Sequence, residues 1–220
     1  MQANELTTGD NKLHILAYSV SDEVEDELKK SLELILSEYD LMSLHHAIYT
    51  CLKELLMNAI KANFKNIYFE DYTSKNKSEK TISYDVAIKL FMLEMTREEA
   101  KNLERIAKKR DIKAVITMWI GNDFLHFSCH NPVPMTDIEQ KNIQKKLKVA
   151  SKINDISEYF MEIENDPNKE GAGLGLVLIT LMLKGIIKQA ESIKINSDSD
   201  STTAYLKIPL NKDLLNEESI

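Results

Sequence analysis

The chain has little backbone punctuation: six glycines and four prolines in 220 residues exclude a collagen-like repeat and a proline-rich linker architecture. Its two cysteines, Cys51 and Cys129, are far apart and lie inside apolar segments. A disulfide framework and a zinc-finger spacing are therefore absent, and buried free thiols are expected. No stretch without a formal charge exceeds 13 residues, the length of 171–183, whereas a helix spanning a bilayer needs about 20 apolar residues. No membrane span is expected. The first 14 residues are polar with mixed charge and lack the apolar block of a secretory signal, so the expected location is cytoplasmic. Basic residues are also in deficit, 28 against 35 acidic, for a net charge of -7. That balance argues against non-specific nucleic-acid binding, which depends on phosphate neutralisation.

What is present is globular: 43% apolar and 29% charged residues can bury a core without staples. Residues 1–220 are read as one domain. Residues 13–20 read as a strand, and Ser21 before Asp22 and Glu23 reads as the N-cap of a helix running to about Tyr39. A second helix is expected over about 44–64, then a polar loop over 70–80. Thr96 and Glu99 fit a capping box whose helix ends in Lys108, Lys109 and Arg110. Residues 71–110 form a helical insertion on this reading. Residues 113–120 and 124–129 flank Gly121-Asn122-Asp123 as a β-hairpin, and Thr136 with Glu139 suggests another capping box. The apolar run 174–187 reads as a buried helix, and 191–197 and 202–210 as two closing strands. Strands at the start, middle and end with helices between them give an α/β (α+β) two-layer sandwich, with helices on one face of a mixed β-sheet.

Three features carry candidate chemistry. Glu54, Asn58, Lys61 and Lys65 are spaced i, i+4, i+7 and i+11, which stacks them along one side of the second helix. A solvated helix face has this pattern too, but a carboxylate one turn before a carboxamide offers a base and a metal ligand, with lysines beyond for phosphate. Next, Gly171-Ala172-Gly173-Leu174-Gly175-Leu176 leads straight into an apolar helix. Glycines admit close backbone approach, and a helix start presents unpaired N–H groups to an anion. Rossmann and Walker phosphate loops are excluded by context and by the lack of a following Gly-Lys-Ser/Thr. Third, His130-Asn131-Pro132-Val133-Pro134-Met135 follows a strand, and two prolines set its exit. Asn131 can present its carbonyl to an amine, while His130, with no carboxylate partner in view, is read as structural or exposed.

Together and in this order, the three features resemble the GHKL superfamily, the Bergerat-fold ATPases and kinases that include gyrase, heat-shock chaperones, sensor histidine kinases and anti-sigma-factor serine kinases. Residues 54–65 (ELLMNAIKANFK) resemble its N box and 171–176 (GAGLGL) its G2 box. Thr202-Thr203 before a strand ending Ile208-Pro209-Leu210 is similar to the closing strand of histidine-kinase catalytic domains. The resemblance covers 40–66, 113–135 and 169–210.

It implies a Bergerat ATP-binding fold with an ATP lid over 135–170, and ATP and Mg2+ as cofactors. Asn58 would ligate the magnesium ion, and Glu54 would be the catalytic base. Lys61 would reach phosphate, and Gly171, Gly173, Leu174 and Gly175 would form the end of the lid against the phosphates. Asn131 would take the adenine amine, and Thr203 would lie near the adenine side. The G1 box departs from the family pattern, with Asn131-Pro132-Val133-Pro134-Met135 where Asp-x-Gly-x-Gly is usual. Asparagine keeps the acceptor oxygen but loses its charge, and bonds to charged groups contribute roughly 1.5–3 kcal/mol against about 1 for neutral ones. No phosphoacceptor-histidine motif occurs, so the expected activity is magnesium-dependent ATP binding with phosphotransfer to a separate protein. Two alternatives stand beside it: a nucleotide-regulated interaction module without turnover, and a degenerate fold that binds no nucleotide. The expected partners are ATP or ADP and a protein phosphoacceptor; a homodimer is compatible with either.

Overall fold

The computed structural model describes residues 12–75, 84–163, 174–188 and 193–216. Among them the chain runs β1 (Lys12–Ala17), α1 (Asp22–Glu38), α2 (His45–Lys75), α3 (Tyr84–Glu94), α4 (Arg97–Arg110), β2 (Ala114–Gly121), β3 (Phe124–Asn131), α5 (Asp137–Lys152), α6 (Ile156–Ile163), α7 (Leu174–Ile186), β4 (Ile193–Ser197) and β5 (Thr202–Pro209). Short 3-10 turns at Met42–Leu44 and Lys212–Leu214 complete it.

The five strands form one sheet in the order β1-β2-β3-β5-β4, and every pairing is antiparallel. This corrects the mixed sheet expected from the sequence. A parallel neighbour requires a crossover that brings the chain back to the end of the sheet where the strand began. Here β1 reaches its neighbour β2 through four helices and re-enters the sheet at the end it left, whereas β3 reaches β4 through three and crosses to the other end, so that β4 runs parallel to β3 with β5 paired antiparallel between them. Period-two alternation sorts the strand residues into two faces. Ile15, Ile116, Phe127 and Leu206 are buried in the core, while Lys12, Thr117, His126 and Lys207, the alternate positions, are at least partly exposed.

Local chemistry sets most element ends. Ser21 Oγ accepts from Val24 N at 3.3 Å and opens α1, whose Val24, Leu28, Leu32 and Leu36 bury one stripe at four-residue spacing. Thr96 caps α4 through Glu99 N at 3.1 Å. The reciprocal half of that box is replaced by a bond from Thr96 N to Glu94 O. Thr136 and Glu139 make both halves of a capping box on α5. Asn122 and Asp123 both have positive φ and form the two-residue loop between Gly121 and Phe124, the backbone a type I′ hairpin turn requires.

Helix α2 overruns its expected end: 31 residues extend it through Lys75, into the segment read as a polar loop. Arg110 of α4 pairs there with Glu70 and Asp71, so the polar side chains that looked like loop line an ion-paired helix face. Of the expected 71–110 insertion, the described residues carry the end of α2, α3 and α4, and α4 belongs to the core, with Leu103 and Ala107 buried. Of the segment 135–170, where a lid is expected, the described residues carry α5 and α6, and Ala150, Ile153 and Tyr159 close a second small core against Val177 of α7. Lys184 Nζ donates to Ser151 O at 3.0 Å and Ile153 O at 2.6 Å, placing a cation on the carbonyl end of α5.

Candidate functional site

One cavity of about 530 Å³ opens beside α2, within the 300–1,000 Å³ of small-molecule pockets. Its α2 side is the polar stripe read from the sequence: Glu54, Asn58, Lys61 and Lys65, interleaved with Leu55, Ala59 and Ala62. Its sheet side is Cys129, Asn131, Thr202, Ala204 and Ile195, and Leu174, Gly175 and Leu176 enter at the start of α7. Segments more than a hundred positions apart thus border one space.

Gly175 lies directly against Glu54. A Cβ at that position would fall 2.6 Å from Glu54 Cγ and nearer still to the carboxyl, so the carboxylate fills the room a side chain would take. The glycine here serves close approach between two helices. Gly171 and Gly173 lie outside the described residues.

Asn131 is the last residue of β3 and only 3% exposed. Its Nδ2 donates to Val133 O at 3.4 Å, which leaves Oδ1 as the acceptor for a guest. The loop beyond is pinned from the opposite hairpin: Thr202 Oγ1 donates to Val133 O at 2.7 Å, and Met135 N donates to Ser197 Oγ at 2.8 Å. A loop that contains no glycine is thus held by hydroxyls on β4 and β5.

Thr203 does not join the cavity, a correction to the sequence reading. Its Oγ1 meets His130 Nδ1 at 3.0 Å, whereas Thr202 and Ala204 are the β5 residues that line the space. One step along a strand changes the face, and Ala204, Leu206 and Ile208 already marked the even positions as inward. That signal was available in the sequence. The bond to Thr203 also agrees with a structural His130.

Helix α5 supplies Glu139, Asn142, Ile143 and Lys146, and α3 supplies Ile88, Phe91 and Met92. Of these, Glu139 is both a cap and a cavity residue. Its Oε2 accepts from Thr136 N at 2.8 Å, while its Oε1 forms an ion pair with Lys65 Nζ, tying α5 to the α2 stripe. Of the lysine-rich run 141–152, Lys146 reaches the cavity lining. Three lysines, Lys61, Lys65 and Lys146, and two glutamates, Glu54 and Glu139, thus line the space. Both cysteines are buried, and burial pushes the Cys51 and Cys129 thiols up to about 12, as expected of inert core thiols.

Among the described residues no group of three or more His, Cys, Asp or Glu could hold a metal. Magnesium does not require one, because it keeps waters and takes one or two protein oxygens plus substrate phosphates. Glu54 and Asn58, one turn apart on the cavity side, fit that donor set. No helix among the described residues is long and apolar enough to cross a membrane.

No family model matches the chain. It is similar, at 29% identity over 161 residues, to an uncharacterized protein of Treponema pallidum (strain Nichols). The match covers 73% of this chain and 30% of that protein, so the chain spans about a third of the relative's length.

Proposed function

We propose that this chain is a magnesium-dependent ATP-binding protein of the histidine-kinase-like type, with a Bergerat fold, which transfers phosphate to a separate protein in the cytoplasm. The observation that carries the reading is the shared cavity. A carboxylate, a carboxamide and a lysine from one helix share the cavity with the N-terminus of another, and a buried asparagine lies on its sheet side. Helix starts and lysines suit phosphate, and a buried amide oxygen suits an exocyclic amine.

In this reading Asn58 would hold Mg2+ together with phosphate oxygens, and Lys61 would meet phosphate. Bound magnesium supplies charge neutralisation on the phosphates. Glu54 accepts the proton of an attacking hydroxyl on the partner protein. The hydroxyl oxygen bonds to the γ-phosphorus as the bond to the β,γ-bridging oxygen breaks, and ADP leaves with those electrons.

Thermal unfolding with and without Mg-ATP tests binding, since ligand at 100 times its dissociation constant adds about 2.7 kcal/mol. Incubation of the protein with γ-labelled ATP and cell extract tests transfer, expected to be lost in Glu54→Ala while binding persists. Binding without transfer would favour a nucleotide-regulated interaction module. No stabilisation at millimolar Mg-ATP would sink the reading.

A further inference from the structure

Helix α3 belongs to the segment that the GHKL resemblance does not cover, yet it borders the same cavity. Ile88, Phe91 and Met92, spaced i, i+3 and i+4, share one helix face and line the space. Phe91 anchors that face on α2. Its ring meets Tyr68 at 5.5 Å and Phe69 at 6.3 Å, both edge-on, and Tyr68 OH donates to Glu94 at 2.6 Å. Burial and that carboxylate together push the Tyr68 phenol above its ordinary range. The helix that carries Asn58 therefore also positions the α3 face.

The cavity has unlike ends. At one, Glu54 lies against Gly175; at the other, the α2 lining ends at Lys65, and α3 packs just beyond it, with Phe91 against Tyr68. Lys65 lies eleven positions after Glu54 on α2, about 16.5 Å along the axis. Carboxylate, carboxamide and helix N-terminus gather at the first end, where a metal-bound polyphosphate finds its donors. The second end has apolar side chains left in contact with water: Met92 is 63% exposed, and Ile88 is half-buried. Such side chains at a pocket mouth gain burial only when a guest covers them.

We infer that α3 is the wall of the pocket for the non-phosphate part of the ligand, with Ile88 and Met92 in contact with a planar heteroaromatic base. The inference rests on the nucleotide reading. It assigns base affinity to a segment outside the matched motifs, and it divides the site between a polyphosphate end set by α2 and α7 and a base end closed by α3.

Calorimetric titration of the full chain with ATP, adenosine and magnesium tripolyphosphate tests the division. The proteins are wild type, the double variant Ile88→Ala/Met92→Ala, and Leu93→Ala, which is 79% exposed on the same helix and does not line the cavity. The double variant is expected to bind ATP and adenosine about tenfold more weakly, with tripolyphosphate unchanged. Leu93→Ala is expected to match wild type for all three. Unchanged ATP and adenosine affinity in the double variant, or an equal loss for tripolyphosphate, would overturn the wall and leave the nucleotide reading standing. Wild type binding none of the three probes would remove both. Should the double variant lose its helical circular dichroism, Met92→Ala alone, at a mostly exposed position, is expected to give a smaller loss of the same pattern.

Discussion

Placing a methyl group on Gly175 probes the junction of α2 and α7 without assuming any ligand. The new Cβ would lie 2.6 Å from Glu54 Cγ, closer than carbon atoms approach, so one side must move. Helix α7 is held by Leu176, Val177 and Ile179, and α2 by Leu52, Leu55 and Leu56, all buried. The Glu54 side chain is the part free to swing, and leaving its rotamer costs about 0.5–1.5 kcal/mol. Against this, alanine is favoured over glycine in a helix by up to about 1 kcal/mol. Gly175→Ala alone should therefore change stability by less than about 1 kcal/mol in either direction. In a Glu54→Ala background the collision is gone, and the same substitution should stabilise by about 0.5–1 kcal/mol. The two sites should thus couple by about 1 kcal/mol in a double-mutant cycle measured by urea unfolding. Gly185→Ala is the internal control: nothing lies within 4 Å of its added Cβ, so it should stabilise equally in both backgrounds. An identical shift for Gly175→Ala with and without Glu54 would refute the contact between that carboxylate and the start of α7.

Glu25 receives Lys53 Nζ at 2.7 Å and Tyr49 OH at 2.6 Å, and these bonds, Lys53 first, hold its carboxyl below the ordinary value of 4.5. A depressed folded value adds stability above the unfolded one, lost as pH falls through the folded value. Glu25→Gln should cost about 1 kcal/mol at pH 7, and the gap to wild type should shrink as pH falls below the ordinary carboxylate range; a gap that stays constant on acidification would contradict it. Asn63 is 0% exposed, and neither Oδ1 nor Nδ2 has a hydrogen-bond partner among the described residues. Asn63→Leu removes the unmet polar atoms at similar volume and should raise stability by about 1–3 kcal/mol in thermal unfolding, so a lower melting temperature would count against the burial argument.

Much of the site was legible because helical and strand periods project onto space without reference to the rest of the chain. The α2 stripe is the clearest case: spacing alone grouped Glu54, Asn58, Lys61 and Lys65, and all four border the cavity. Capping at Ser21, Thr96 and Thr136 was legible for the same reason, since each bond closes within three residues. Thr203 was misplaced where the strand period, read through to Ala204, indicates Thr202. The overrun of α2 was not legible, because polar residues 70–75 look alike as loop or as helix until Arg110 supplies a partner from another element.

The sequence by itself determined the positions of the caps, the hairpin turn, the stripe and the glycine-led helix, because each depends on neighbours within about one or two turns of chain. Tertiary structure alone decided that the sheet is wholly antiparallel, that Glu54 fills the space beside Gly175, that Glu139 joins Lys65, and that α3 borders the cavity. These depend on how several packed helices return the chain to the sheet, and no local period records the distance between segments brought together by a common core.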